Sequence, residues 1–346
     1  MEEALVSAVI LTYNQQNYIA QAIECALAQR VDFDYEIVVG EDCSTDETRR
    51  ICLDYQERYP DLVRVLTSDH NVGLLENWQR SVESARGHYI AGCGGDDFWH
   101  NPDKLRKQVA FLQQNPEYGM VHSAVDCLIE RSGAVVPSRV ASKDFPVHGG
   151  RELLVSLFDG SYYPIIACSV MFRKRFFNEF FDIGVLKRNG FLMEDTPLWA
   201  EIIANSKVFY MRESLATYRS RTDDGIRRVR FAVSNAAFCL YACRKYNLPL
   251  YVQKFHEQCW RRSALHLAFR DRSPEAARAV RNQWPRLSVK ERVWYLGTVV
   301  PLLRPFVWLL SLLFRRSHTP PYLSRDCEPK TSEPGVLPAE ADQRLT

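Results

Sequence analysis

The chain has 346 residues, long enough for one large domain or two smaller ones, and its 46% hydrophobic and 25% charged residues are ordinary for a soluble globular protein with a sizeable core. A net charge of +2 gives no whole-chain case for a nucleic-acid binder. The opening "MEEALVSAVILTYN" carries acidic residues where a secretory signal has basic ones, and its apolar run is too short for one.

That opening reads instead as a first β-strand, "VSAVILT", followed by a helix over about Tyr18 to Gln29. "YEIVVG" is a second strand, with a helix beginning after "EDCSTDET". "LVRVLTS" is a third strand, and "LLENWQRSVESA" has the apolar spacing of a helix. "HYIAGC" is a fourth, followed after the glycines by the amphipathic "NPDKLRKQVAFLQQNP". Regular strand–helix alternation predicts an α/β sandwich with a mainly parallel sheet. Ligands of such sheets sit at the carboxyl ends of the strands. The unusual polar clusters fall there: Thr12-Tyr13-Asn14, Glu41-Asp42 and Asp96-Asp97.

Beyond Gly119 the pattern loosens. Strand-like "GMVHSAVDCLI" and "IIACSVMFR" mix with helical "GRELLVSLF" and "TPLWAEIIANS" as far as "LATYRSR". From about Asp223 to Leu287 the chain reads as helical and Arg-rich. A strongly apolar run follows, then a Pro-rich polar end that reads as disordered. The ten cysteines have no metal-ligand spacing. Without a signal peptide they read as small buried hydrophobes of a reducing cytoplasm.

Two acidic clusters need an explanation. In "GEDCSTDET", Ser44 and Glu47 have capping-box spacing and Asp46 suits the positive end of the next helix, so these three read as structural. Asp42 precedes the cap, at the strand's end, where it can face a ligand. In "YIAGCGGDDFW", Asp96 and Asp97 stand side by side after three glycines. Adjacent carboxylates repel unless a cation or a hydrogen-bonded ligand sits on them. The helix that follows has its own start, with Asn101 as N-cap, Pro102 in first position and Asp103 in the first turn, so the pair is surplus to capping. A divalent cation held by one carboxylate and by the phosphates of a nucleotide accounts for it. No GxxxxGK[ST] occurs, and no GxGxxG opens a helix after the first strand, so kinase-like and dinucleotide-binding readings fail.

The ordered set "VILTYNQQNYIAQAIECALAQ", "YEIVVGEDCSTDET", "HNVGLLENWQRSVESARGHYIAGCGGDDFWHNPDKLRKQV" and "EDTPLW" resembles the family 2 glycosyltransferases, over roughly Val6 to Arg221. The resemblance implies the GT-A fold: a Rossmann-like, mainly parallel sheet flanked by helices. It also implies an inverting enzyme with a nucleotide-sugar donor and a saccharide or lipid-linked acceptor. By it, Thr12, Tyr13 and Asp42 hold the uracil or thymine base, and Asp96 approaches the ribose or sugar. Asp97 binds Mg²⁺ or Mn²⁺ bridging the diphosphate. Asp195, in "MEDTPLW", falls at the family's catalytic base, with Glu194 as second candidate. On the residues alone, Asp195 reads equally well as an N-cap before Pro197. Trp99 and Trp199 can stack on a sugar, but buried packing is the simpler role.

Two departures stand out. Relatives often have two aspartates where this chain has Glu41-Asp42, which keeps the second. After "YR" many have a histidine two residues on, where this chain has Arg221. That puts a histidine metal ligand in doubt and leaves Arg219 and Arg221 as a basic clamp on the diphosphate, carried on a flap or on a solvated loop.

The resulting organisation is a catalytic domain over 1–222, a helical extension over 223–291, an apolar segment over 292–316 and a disordered tail over 317–346. "VWYLGTVVPLLRPFVWLLSLLF" approaches the length of a bilayer span. Arg304 near its centre costs about 2.5–3.5 kcal/mol on insertion scales, and two prolines break the helix. The segment reads either as an in-plane anchor on the cytoplasmic face of the membrane or as a helical hairpin packed on the core. The anchor reading goes with a lipid-linked acceptor and with polysaccharide or lipopolysaccharide assembly. Rival functions are a sugar nucleotidylyltransferase, which wants a glycine-rich basic loop that "TYNQQNY" does not supply, and a non-catalytic sugar-nucleotide-binding scaffold, which has no need of the four aspartates.

Overall fold

The computed structural model describes residues 5–137, 149–159, 165–221, 225–270 and 272–313. The first half alternates as expected: β1 (Val6–Thr12), α1 (Ile19–Leu27), β2 (Tyr35–Glu41), α2 (Thr48–Arg58), β3 (Val63–Leu66), α3 (Leu74–Ser84), β4 (Tyr89–Gly94) and α4 (Lys104–Gln114). A long β5 (Tyr118–Ile129) and a short β6 (Ala134–Val136) follow, then α5 (Gly150–Asp159), a 3-10 turn (Ala167–Ser169) and β7 (Met171–Arg173). Three helices, α6 (Lys174–Phe180), α7 (Ile183–Arg188) and α8 (Asp195–Asn205), lead to β8 (Lys207–Ser220). The rest is helical: α9 (Gly225–Lys245), α10 (Leu250–Arg270), α11 (Pro274–Gln283), α12 (Val289–Val299), a 3-10 turn (Pro301–Leu303) and α13 (Arg304–Leu313).

The strands form one sheet in the order β3-β2-β1-β4-β7-β5-β6, with β8 also paired to β5. β3, β2, β1 and β4 run parallel; β7 is antiparallel to both β4 and β5, and β8 is parallel to β5. Successive residues of a strand point to opposite faces, and here both faces are covered. On β1, Val9 joins one core while Val6, Ala8 and Ile10 join the other. On β4, Ile90 goes one way and Tyr89, Ala91 and Cys93 the other. This double covering explains why the strands are apolar runs rather than alternating ones. The core containing Val9 and Ile90 also takes Trp78, Phe172 and Trp199, and it extends into α9 and α10 through Phe238, Cys239, Ala242, Cys243 and Val252. The helical extension therefore packs on the sheet domain. Its own small core holds Ala264, Leu265, Ala268, Ala277, Val280 and Trp284.

Lys104 opens α4 fully buried, donating to Gln108 Oε1 at 2.8 Å with its ammonium 4.4 Å over the Trp99 ring. Burial pushes its pKa down to about 7. An unfolded lysine titrates near 10.4, so between about pH 7 and 10 the unfolded chain binds more protons and stability rises with pH. Lys104→Met removes that slope. Its stability relative to wild type should be greatest below pH 7 and fall by up to a few kcal/mol towards pH 10. Urea unfolding of both proteins at the two pH values measures this; parallel slopes would contradict it.

The tail expected to be disordered, 317–346, lies outside the described residues, as do residues 222–224 of the Arg-rich loop.

Candidate active site

Apart from Asp195, which opens α8, the expected site residues come from the ends of β1, β2, β4 and β8. After β4 the chain turns, with Asp97 N–H donating to Gly94 O at 3.0 Å and Gly95 N–H to Leu11 O at 2.8 Å. Gly92, Gly94 and Gly95 all have ordinary negative φ, so the glycines answer a need for space. A Cβ on Gly95 would lie 2.5 Å from Gln15 Oε1 and 2.9 Å from Thr12 Cβ. A Cβ on Gly94 would meet Asp96 Oδ1 at 3.1 Å and Asp97 Oδ2 at 3.4 Å. The two carboxylates thus converge over a bare stretch of backbone that a side chain would fill.

The helix after this turn does not use them. Nor is Asn101 its N-cap as expected: α4 begins at Lys104 with Asp103 in the cap position and no side-chain capping bond, because Asn101 Oδ1 is taken by Asp103 N–H at 2.9 Å in the turn ahead of the helix. Instead the turn is stitched to β8. Phe98 and Thr217 exchange backbone hydrogen bonds of 3.2 and 2.7 Å, and His100 reaches Thr217 Oγ1 and Ser214 O, both at 2.9 Å. Two residues beyond Thr217, Arg219 N–H donates to Asp97 Oδ1 at 2.9 Å and its Nε to Asp96 O at 2.8 Å. Arg221 Nη1 lies 3.3 Å from Asp96 Oδ2. Arg219 and Arg221 are an i, i+2 pair at the strand's end and so share a face. Their guanidinium carbons lie 4.7 and 5.2 Å from the Tyr18 ring, whose hydroxyl donates to Glu130. The Glu130 hydrogen bond raises the Tyr18 pKa, followed by desolvation. Asp97 is buried, and burial first, then the Asp97 charge, pushes the nearby Cys168 thiol well up.

Asp42 is buried at the end of β2, and its two oxygens accept from Val72 N–H at 2.7 Å and Gly73 N–H at 2.9 Å. Gly73 has φ +87°, so "NVG" is a loop fitted to this carboxylate. Each oxygen keeps a second lone pair for a ligand. Glu41, fully buried beside it, accepts from Ser44 N–H and Arg49 Nε, both at 2.6 Å. The longer side chain at this position thus makes internal contacts. Thr12 is buried and donates to Gln15 Oε1 at 2.9 Å, whereas Tyr13 is 45% exposed at the strand's end.

The capping box expected of Ser44 and Glu47 does not form. Ser44 Oγ accepts from Asn14 N–H, Glu47 pairs with Arg50, and Asp46 accepts from both Thr48 N–H and Gln16 N–H. The reason is the neighbouring β1–α1 loop, whose N–H groups compete for the same oxygens. The three residues are structural, by a different set of bonds.

Asp195 is the first residue of α8 and half-buried; Oδ1 accepts from Thr196 N–H and Thr196 Oγ1. Glu194 occupies the cap position without a side-chain capping bond. Trp99 and Trp199 are each 3% exposed and serve packing; Trp99 Nε1 donates to Cys168 O at 2.9 Å. Sequence reasoning missed Gln15, Tyr18 and Glu130. The last two are 112 residues apart, and only the chain's path joins them.

Among the described residues, no cluster of three His, Cys, Asp or Glu could cage a metal ion. A Mg²⁺-like ion bridged to phosphates needs only one or two protein carboxylates, and the converging oxygens of Asp96 and Asp97 over Gly94 fit that donor set.

The sequence profile described as Glycosyl transferase family 2 matches residues 7–181, half of the chain. The chain belongs to glycosyltransferase family 2. An uncharacterized protein of Mycobacterium tuberculosis is 43% identical over 112 residues, so this chain spans about a third (32%) of that relative, and the match takes 32% of this chain. The putative glycosyltransferase EpsE of Bacillus subtilis is 28% identical over 251 residues, 71% of this chain and 84% of EpsE. Among solved structures, S. aureus TarS 1-349 in complex with UDP-GlcNAc superposes with a TM-score of 0.52 at 17% identity, covering 88% of this chain and 83% of that one. The mannosyltransferase PcManGT of Pyrobaculum calidifontis, in complex with GDP-Man and Mn²⁺, gives 0.52 at 16% identity, covering 92% and 89%. These likenesses establish the GT-A fold for this family 2 member.

Proposed function

We propose that the chain is an inverting glycosyltransferase. It moves a sugar from a UDP- or dTDP-sugar to a hydroxyl of a saccharide or lipid-linked acceptor, in the assembly of a cell-surface polysaccharide or lipopolysaccharide. The observation that carries this reading is the convergence of Asp96 and Asp97 over Gly94 beside Arg219 and Arg221. The donor complexes of TarS and PcManGT support the donor class by analogy of fold.

In this reading the base lies against Tyr13 and the loop that Asp42 holds, and Asp96 faces the ribose or sugar. Asp97 would hold Mg²⁺ or Mn²⁺, and the bound ion would supply positive charge against the leaving group. Arg219 and Arg221, now on the acidic pair, are placed to turn towards the diphosphate when it arrives. Asp195 takes the proton of the attacking hydroxyl on the face opposite the leaving group, so a single displacement inverts the anomeric centre.

A thermal-shift screen of UDP-, dTDP- and GDP-sugars, each with and without Mn²⁺, tests the donor assignment. A ligand bound only to the native state stabilises by RT ln(1 + [L]/Kd), about 2.7 kcal/mol at a hundred times Kd. A uridine or thymidine donor should raise the melting temperature, and more so with Mn²⁺. No shift with any sugar nucleotide would refute the reading.

A further inference from the structure

The apolar segment after α11 can be judged by where its charges go. Glu291 on α12 is fully buried, 2.9 Å from Arg261 Nε, and accepts from Ser288 N–H at 2.7 Å. Arg304, at the start of α13, turns inward too. Its Nη2 donates to Phe269 O at 2.7 Å, at the end of α10, and its guanidinium lies 4.9 Å from the Phe269 ring. A carbonyl near a helix C-terminus is a natural partner for a cation. On the inner side α13 closes on α12, where a Cβ on Gly297 would come 2.7 Å from Val307.

The outer side is left apolar. Val289, Leu296 and Val300 recur at seven and four residues, one face of a helix, and all three are exposed. Beside them Leu302 is 85%, Phe306 68% and Trp308 57% exposed. The helical region that carries this face is basic: residues 225–313 hold sixteen Lys and Arg against four Asp and Glu, in a chain whose total charge is only +2. Arg272, Arg278, Arg286, Lys290 and Arg292 are exposed on α11, α12 and their connections. No described helix is long and apolar enough to cross a membrane.

We propose that the outer face of α12, the Pro301–Leu303 turn and α13 docks in the plane of an anionic lipid bilayer. Leu302, Phe306 and Trp308 enter the headgroup–acyl boundary, and the surrounding arginines and lysines face lipid phosphates. An exposed apolar face on a basic helical region has the two attractions that interfacial helices combine. The same charge repels a second copy of the chain. Arg304, the residue that argued against burial of this segment in lipid, is satisfied inside the protein. The inference is independent of the catalytic reading and would survive its failure.

The test uses the full chain and sedimentation with vesicles of phosphatidylcholine alone or with about one third phosphatidylglycerol, as anionic lipid attracts basic surfaces. Binding to the anionic vesicles is expected, weakened by high salt and at least about tenfold weaker in Leu302→Asp/Phe306→Asp. Quenching of tryptophan emission by brominated lipid should decrease in Trp308→Phe. Thermal unfolding of the variants confirms that they fold. Four outcomes of the vesicle assay would overturn the proposal: no vesicle binding, equal binding to neutral and anionic vesicles, wild-type binding by the double aspartate variant, or binding that emerges only when residues 317–346 are removed. Sedimentation velocity covers the remaining occupant, since a wild-type dimer made monomeric by the double variant assigns this face to a second copy.

Discussion

Asp97→Asn should abolish the Mn²⁺-dependent part of the donor-induced thermal shift and lower sugar transfer about a thousandfold or more. The substitution is nearly isosteric. The amide oxygen can still accept from Arg219 N–H, so the stitching of the turn to β8 is preserved. What is lost is the negative charge that binds a cation against the diphosphate. Asp96→Asn should be milder in its metal dependence, because Asp96 already has Arg221 as counter-charge and is less buried than Asp97. Two measurements separate a binding defect from a folding defect: the melting temperature without ligand, expected to stay close to wild type, and the shift with donor and Mn²⁺ together. A variant whose shift still grew on adding Mn²⁺ would remove Asp97 as the ion's ligand.

The parallel half of the sheet was legible because its strands are buried on both faces and separated by amphipathic helices, a pattern that the order of apolar residues displays. Asp96-Asp97 was legible for a different reason: an acidic pair after glycines, next to a helix start that reads as already supplied by Asn101, Pro102 and Asp103, has no cheap structural explanation. The role of the glycines was not legible: the backbone keeps negative φ, and the space they leave serves Thr12 and Gln15 on one side and the two carboxylates on the other. The hydrogen bonds of "GEDCSTDET" could not be read locally, because its oxygens are taken by N–H groups of the β1–α1 loop about thirty residues away. Asp42 shows the same limit. Its position at the strand's end was evident, while its grip on Val72 and Gly73 depends on how β3 and the following loop return past β2. Pattern within an element is written in sequence; competition for hydrogen bonds between elements is not.

Asp195→Asn should leave donor binding intact and reduce transfer by about 10²–10⁴-fold, the usual weight of a general base. The position offers two roles, and the structure allows them to be separated. As a helix-start residue, Asp195 offers Oδ1 to Thr196, and asparagine can make the same contact; Asn and Asp are also about equal as capping residues. A structural role therefore predicts little change in melting temperature and little change in rate. A catalytic role predicts the same melting temperature and the same donor shift but a collapse of turnover, because an amide cannot take a proton from the acceptor hydroxyl. Glu194→Gln is the control: it occupies the cap without a capping bond and should retain most activity if Asp195 is the base. Full transfer by Asp195→Asn alongside inactive Glu194→Gln would move the base one residue upstream. Full transfer by both would place it on another element.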